Sequence, residues 1–526
     1  MFEEFNLDKK DRYFILFILL FSTLLVIHYI YFNLNVGVTC NDVYVYLVNS
    51  LYFTGVNWGA TETIYLSPTV CFFTSILFRM GLVDTVAIYI VTGVLAIFGN
   101  IGLYVLLRRY FDNIYSLTGV IIYSTLSLNL TWLANGTLDI PAVSFTIWLV
   151  LFSVIAIEKN PKYYIYASII FVFGFYTRYT VVLTIPAILL YYVYIKGFKI
   201  TKEDKKYIIK ALTIGVIFGL VVLAAVTIMG NGQFPAGSQM INRASGESGY
   251  HSDPAYNPNL VYYVQKLPNF ISNSNTTFGS NPILSKPTIL SWACIAILIG
   301  GALIWIRNGN DKIKLNKKHI IPISLFAIAL AIFAFVSSLI TISLVMVGIY
   351  LLGKDSDYKI ELMMLMWILS NLIFFSNYNI KVSRYIIPIT PALIFFLIKG
   401  LEIIKNNFKI NKNAIPIIFI ILFAIQGFAF TLTFEPTEKY SVHEDIINYI
   451  IENNPDHEDI IIGTYNFRSF RWLYGPNAIG LVSRNQTAID QSNITYYISD
   501  KQLDELQNFT EIKTFDSLYL YERINT

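Results

Sequence analysis

The sequence predicts a mostly α-helical, polytopic membrane protein of about 13 spans, with amphipathic helices in its first outer loop and a small soluble α/β domain at its C-terminal end. Three observations carry that expectation. Of 526 residues, 55% are hydrophobic and 16% aromatic while only 14% are charged, and the mean hydropathy is +0.56, a balance foreign to a water-soluble globule of this length. Apolar runs approaching the roughly 20 residues that cross a bilayer recur from residue 13 to residue 434. Beyond that point short β-branched and aromatic segments alternate with polar, helix-prone ones, as in a folded aqueous domain.

The runs lie at 13–33, 83–107, 114–131, 140–157, 161–177, 180–195, 207–229, 286–306, 319–336, 338–353, 360–376, 385–401 and 413–434. Basic residues fall between alternate runs, at Arg108-Arg109, Lys159 with Lys162, Lys196 to Lys210, Arg307 to Lys318, Lys354, and Lys399 to Lys412. Such loops stay in the cytoplasm, which places the N-terminus there and the C-terminal domain outside. The charged opening MFEEFNLDKKDR, followed by an apolar run without a small-residue cleavage site, reads as a retained anchor. Residues 64–81, "IYLSPTVCFFTSILFRMG", are apolar enough to span. A crossing there would carry Arg108-Arg109 outside, so the segment is read as lying along the outer surface or re-entering. The stretch 319–353 is too long for one span and divides near Val336-Ser337-Ser338.

The N-x-S/T sequons at Asn129, Asn135, Asn275, Asn485, Asn493 and Asn508 all fall at the outer side in this count. Three outer segments are long: 34–82, 230–285 and 435–526. The division is therefore 1–434, the membrane part, and 435–526, an extracytoplasmic α/β domain. Within the latter, 441–453 and 500–509 read as helices and "DIIIG", "ITYYIS" and "SLYLYE" as strands. It carries no GxGxxG or P-loop.

Composition also excludes partners. The net charge is only +4 and its basic residues cluster in loops, which does not suit nucleic acid. Cys40, Cys71 and Cys294 lack the paired spacing of a zinc site or disulfide framework.

Charged residues at the outer face are few, and acids close to hydrocarbon mark sites because they are costly there. Asp42 opens a helix-spaced stretch, Tyr44, Leu47, Val48, Leu51 and Tyr52, that stops at Thr54-Gly55. A carboxylate in that place either caps the helix or serves chemistry. Asp139, in "LANGTLDIP", likewise precedes a proline-started helix. Arg178, Arg243, Lys381 and Arg384 share this face. They either anchor at headgroups or bind a lipid phosphate through the planar guanidinium fork. Glu62 is equally a solvated loop acid, and His251 with Asp253 has no second metal-like cluster beside it. Nucleophile motifs such as GxSxG are absent.

Five segments in order, "NDVYVYLVNSLYFTG", "YLSPTVCFFTSILFRMG", "NGTLDIPAVSFTIWL", "FGFYTRYTVVLTIPA" and "SRYIIPITPALIFF", resemble the integral-membrane glycosyltransferases of the GT-C class. The branch is that of the dolichyl-phosphate-mannose protein mannosyltransferases and the lipid A aminoarabinose transferase. The resemblance covers about residues 10–400. It implies transfer of a sugar from a polyprenyl-phosphate carrier to a protein, lipid or glycan acceptor at the non-cytoplasmic face. It gives the loop acids' roles to Asp42 and Asp139, and donor-phosphate binding to Arg178, Arg384 and Tyr385. Asn41-Asp42 stands where the family commonly has Asp-Glu, and "YLSP", with Tyr65, where it has a Lys-Pro-Pro-Leu-like motif. Glu62, Tyr65, Arg243 and His251 are then expected acceptor or loop contacts.

The chemistry agrees, since an alcohol acceptor needs a base and a departing phosphate needs positive charge. A lone base without a partner nucleophile suggests inversion, by analogy with glycosidases. The sequence points to no particular cofactor, and a divalent cation stays open. The rival reading is a transporter or flippase for a lipid-linked or sugar substrate, against which stand the absence of obvious repeated halves and the scarcity of ionisable residues in the span centres. High Ile, Asn, Lys and Tyr content suggests an AT-rich microbial genome, and the sequons hint at an archaeal setting.

Overall fold

A computed structural model describes residues 4–56, 68–229, 255–274, 277–278, 285–308, 319–408, 413–433, 435–436, 440–465, 467–481, 486–503 and 506–524. Among these, nine helices are long and apolar enough to cross a membrane, or ten if the bent pair Asn113–Thr125 and Ser127–Ala134 counts as one. The expected thirteen reduces to this number because runs 161–177, 319–336 and 338–353 form the shorter helices Tyr163–Phe175, Ile320–Ile332 and Ser338–Gly353. Helix boundaries shorten them: Phe175 is followed by a turn into Arg178, and Ser337 starts a new helix by accepting the Leu339 N–H at its hydroxyl. The expected division near Ser337 is thus where the chain breaks. Within 64–81, the described residues from Pro68 onward form the helix Pro68–Arg79 and the turn after it.

Burial is inverted relative to an aqueous protein. Leu16, Leu20, Leu24 and Ile27 on the first helix, and Ile217, Leu220 and Val221 on Lys202–Met229, are exposed, as faces solvated by lipid tails must be. The inward faces carry small polar groups that satisfy one another, for example Asn100 Nδ2 on Ser22 Oγ at 2.9 Å. The 54° bend at Leu126 frees the Tyr123 carbonyl, and the Asn129 amide closes on it at 2.7 Å. Asn129 and Asn135 are buried, 3% and 0% exposed, so neither of these sequons presents an accessible amide.

The two ends of the bundle differ. At one end Asp11, fully buried, accepts from Tyr104 Oη at 2.6 Å and Arg108 Nε at 2.9 Å. Arg109 pairs with Glu158 there, and Asn160 Nδ2 reaches Glu4 at 2.8 Å. The first helix, Asp11–Val36, runs from this end to the other, where Asn33 Nδ2 donates to the Ala134 carbonyl at 2.9 Å.

The C-terminal part is a mixed five-stranded sheet in the order Ala478–Gly480, Ile462–Thr464, Tyr496–Ser499, Leu518–Arg523, Phe509–Phe515. The first three strands are parallel and the last two run antiparallel to their neighbours. Helix Ser441–Asn453 forms as expected, burying Ile446, Ile447 and Ile450. The helix expected at 500–509 does not: its described residues are turns leading to the strand Phe509–Phe515. Here the Leu503 N–H donates to Tyr521 Oη at 2.8 Å and the Gln507 and Asn508 N–H groups to the Asp490 carboxylate at 3.1 and 3.0 Å, so tertiary contacts take backbone donors that a helix would use.

The core of this domain holds His443, 7% exposed, stacked on Phe470 at 4.4 Å with Nδ1 2.5 Å from Ser469 Oγ. Burial pushes its imidazole down to about 4. Because the unfolded chain takes up this proton near pH 6.5, the contribution is whole above that pH and is lost as pH falls towards 4, about 3 kcal/mol in all. Thermal unfolding of the domain in His443→Gln is expected to lose most of its acid sensitivity over that window.

Candidate functional site

Asp42 lies in the first turn of the helix Asn41–Thr54, which Gly55 ends in a left-handed conformation, φ 96°. The carboxylate belongs to the second residue of the helix, past the N-cap Cys40, whose own side chain makes no cap hydrogen bond. Its Oδ2 is 2.8 Å from Arg384 Nη1, and its Oδ1 is 3.8 Å from Arg468 Nη1. The helix is not amphipathic in its setting: residues 43 to 51 are all buried, because the C-terminal domain covers the face that would otherwise meet water or headgroups. Tyr440 packs edge-on against Tyr44 at 5.4 Å, and helix Phe467–Tyr474 lies along it.

Asp139 starts the helix Asp139–Glu158 and is 4% exposed. It accepts from Thr137 Oγ1 at 2.9 Å and pairs with Arg178. The preceding turn requires Gly136, whose φ is +65° and whose absent Cβ leaves room for Tyr89, a ring atom of which lies 2.5 Å from that position. Thr39 Oγ1 donates to Asn135 Oδ1 at 3.0 Å, tying the segment that leads into Asp42 to the one that leads into Asp139.

The two arginines arise from matching local structure. Arg178 precedes the 3-10 turn Tyr179–Thr184, and Arg384 is the second residue of the 3-10 turn Ser383–Ile389. Each turn feeds a span with proline near its start, Pro186 in one and Pro391 in the other. The segments "TRYTVVLTIPA" and "SRYIIPITPA" are therefore two versions of one device. Each delivers an arginine at the end of a helix rather than along it. Tyr385, stacked on Phe375 at 5.0 Å, has both guanidinium carbons 6.0 Å from its ring centre, and Arg384 also lies 5.3 Å from the Trp132 ring. Aromatic faces favour cations at such distances. The two pairs are coupled, since Arg178 also bears on Asp42 and Asp139 on Arg384.

Burial raises the Asp42 carboxyl, but Arg384, then Arg468 and Arg178, more than offset it and hold the group below the usual carboxylate range. The carboxylate is therefore ionised at neutral pH and a weak base while paired. Arg384 Nε is buried without a hydrogen-bond partner among the described residues. An unpaired buried donor is costly, and a phosphate oxygen would relieve it.

Lys381, named with Arg384 in the sequence, plays a structural part. Its Nζ donates to the carbonyls of Phe375, Ser376 and Tyr378 at 3.0, 2.7 and 2.5 Å, closing the C-terminal end of helix Lys359–Asn377. Burial pushes its ammonium down to about 8. Glu62, Tyr65, Arg243 and His251 lie outside the described residues. Trp132 and Arg468 went unnoticed in the sequence: the one sits in an apolar run, the other 426 positions from Asp42 in a different domain. Among the described residues no three His, Cys, Asp or Glu side chains converge on a metal position. Both acids face guanidinium groups, so this donor set does not fit a divalent cation.

The chain is similar to known membrane proteins in part of its sequence and, over nearly its whole length, in its fold. Residues 66–225 match the family model described as dolichyl-phosphate-mannose-protein mannosyltransferase. The fold is similar to that of ArnT from Cupriavidus metallidurans bound to undecaprenyl phosphate, at TM-score 0.60 and 10% identity over 97% of this chain and 98% of that one. The same ArnT in the apo state gives 0.59 over the same shares, also at 10% identity. The Archaeoglobus fulgidus oligosaccharyltransferase in its apo form is similar at TM-score 0.52 and 10% identity, over 94% of this chain and 70% of that one. No curated protein matches by sequence. These likenesses do not support an archaeal setting over another.

Proposed function

We propose that the protein moves a sugar from a polyprenyl-phosphate carrier to a hydroxyl of a protein, lipid or glycan acceptor at the outer membrane face, by a single inverting displacement. The observation that carries this reading is the pair of coupled acid–arginine contacts around Tyr385, with Arg384 Nε left open. Arg384 and Arg178 hold the donor phosphate. Asp42 takes the acceptor proton as its oxygen bonds to the sugar C1, and the C1–phosphate bond breaks with the electron pair leaving on the lipid phosphate. Asp139 orients Arg178.

The resting pairing accounts for the order of events. With Arg384 on its oxygen, Asp42 is a poor base, and a phosphate that draws Arg384 away restores its basicity only when donor is bound. The likeness to an ArnT with undecaprenyl phosphate supports a donor of this class. The basic loops gathered with Arg108 and Arg109 at the opposite end support a cytoplasmic N-terminus, with residues 1–434 as the catalytic membrane part and 435–526 outside.

The test is transfer by the purified protein from a panel of polyprenyl-phosphate sugars, with products analysed for anomeric configuration. Inverted product from at least one donor is expected. Retention of configuration would overturn the single displacement, and vectorial movement of an unaltered lipid-linked sugar in vesicles would favour the transporter.

A further inference from the structure

The membrane part alone leaves the site self-neutralised: among the described residues two acids, Asp42 and Asp139, meet two arginines, Arg178 and Arg384. The third guanidinium comes from the other domain. Arg468 lies on helix Phe467–Tyr474, which is fixed from both sides. On its inner side Phe470 is 1% exposed against His443, and Arg471, 2% exposed, donates from Nε and Nη2 to the Ala478 carbonyl at 3.1 and 2.9 Å. On its outer side Trp472, one helical turn after Arg468, stacks on Phe78 of helix Pro68–Arg79 at 5.8 Å and 26°. Residues four apart share a helix face, so the contact that docks the domain also aims Arg468 at Asp42. The Tyr440–Tyr44 contact at 5.4 Å fastens the same domain to the Asp42 helix a second time.

The two arginines on Asp42 divide its oxygens. Arg384 holds Oδ2 and Arg468 stands off Oδ1 at 3.8 Å, its side chain 46% exposed. Once a donor phosphate engages Arg384, Oδ1 and its arginine are what remain to fix the carboxylate. We propose that Arg468 is a positioning residue of the transfer site, through which the C-terminal domain holds the outer oxygen of Asp42 and keeps the carboxylate oriented towards the acceptor. The inference rests on the reading of Asp42 as the base. It makes the C-terminal domain part of the transfer machinery rather than an appended module.

The test needs no transfer to occur. A hydrophobic carbodiimide reacts with a carboxyl group in its protonated form, so the pH dependence of Asp42 labelling in the full-length protein, read by peptide mass spectrometry, reports the charges around that side chain. The groups facing it are Arg384, Arg468 and Arg178, with the Tyr46 hydroxyl on its own helix. In Arg468→Gln, labelling at a fixed acid pH should rise about fivefold, the factor that one cation at this distance is worth in water-like surroundings. Arg468→Lys should restore most of the wild-type profile, and Trp472→Ala, which loosens the dock without removing the charge, should move labelling in the same direction as Arg468→Gln. A profile in Arg468→Gln that coincides with wild type would overturn the proposal. Absence of sugar transfer by the wild type would instead overturn the functional reading, and the labelling profiles would still report whether Arg468 acts on Asp42. Where transfer is measured, kcat should fall in Arg468→Gln with the donor KM unchanged.

Discussion

Asp42→Asn is expected to lower kcat for sugar transfer by about 10²–10⁴-fold, the range that a positioned general base contributes, in a protein that still folds. The substitution keeps the shape of the side chain and an oxygen that can accept from Arg384 at the observed 2.8 Å. It removes the negative charge that competes with a lipid phosphate for that arginine. Binding of undecaprenyl phosphate should therefore hold or tighten while turnover collapses. That split separates a base from a structural acid: if Asp42 served only to anchor Arg384, donor binding would weaken with activity. Stopped turnover measured beside an unchanged unfolding temperature checks the first half. Titration with undecaprenyl phosphate checks the second.

Arg384→Lys is expected to reduce transfer about 10²–10³-fold, in line with loss of one preorganised donor to a developing anion. Lysine keeps the charge beside Asp42 but has no planar fork, so it cannot offer a phosphate the paired N–H donors, Nε among them, that the guanidinium presents. The donor KM should rise and kcat fall together, in contrast to Asp42→Asn. Arg384→Ala would be less informative. It leaves the partly buried Asp42 carboxylate without its nearest partner, a loss on the order of a few kcal/mol, so loss of activity would be mixed with loss of fold. A lysine variant with wild-type donor KM would move the phosphate to Arg178 alone.

Much of the site was legible in the linear sequence. Asp42, Asp139, Arg178 and Arg384 stand out because charged residues are rare near apolar runs and each sits beside one. The repeated Arg-Tyr with proline a few residues on, at Arg178 and Arg384, encodes the 3-10 turn that presents each guanidinium. Lys381 carried the same outward signal and proved to be a helix closure, since three carbonyls at a helix end satisfy an ammonium as well as a phosphate would. The helix expected at 500–509 failed for a related reason: its backbone donors go to Tyr521 and Asp490, partners from other parts of the domain that composition cannot display.

By itself, the sequence determined that this is a helical membrane protein with a separate polar domain at its C-terminal end. Hydrophobic run length and charge spacing are local properties, and the bilayer reads them locally. It determined the inventory of charged residues beside the apolar runs for the same reason. Tertiary structure decided which of those charges meet: Asp42 with Arg384 across 342 positions, and Asp139 with Arg178 across 39. It also decided that the Asp42 helix is buried all round and that Arg468 stands over it. Electrostatic partnership depends on a few ångströms of separation, and those ångströms are set by how helices and sheet pack, over distances along the chain that no periodicity records.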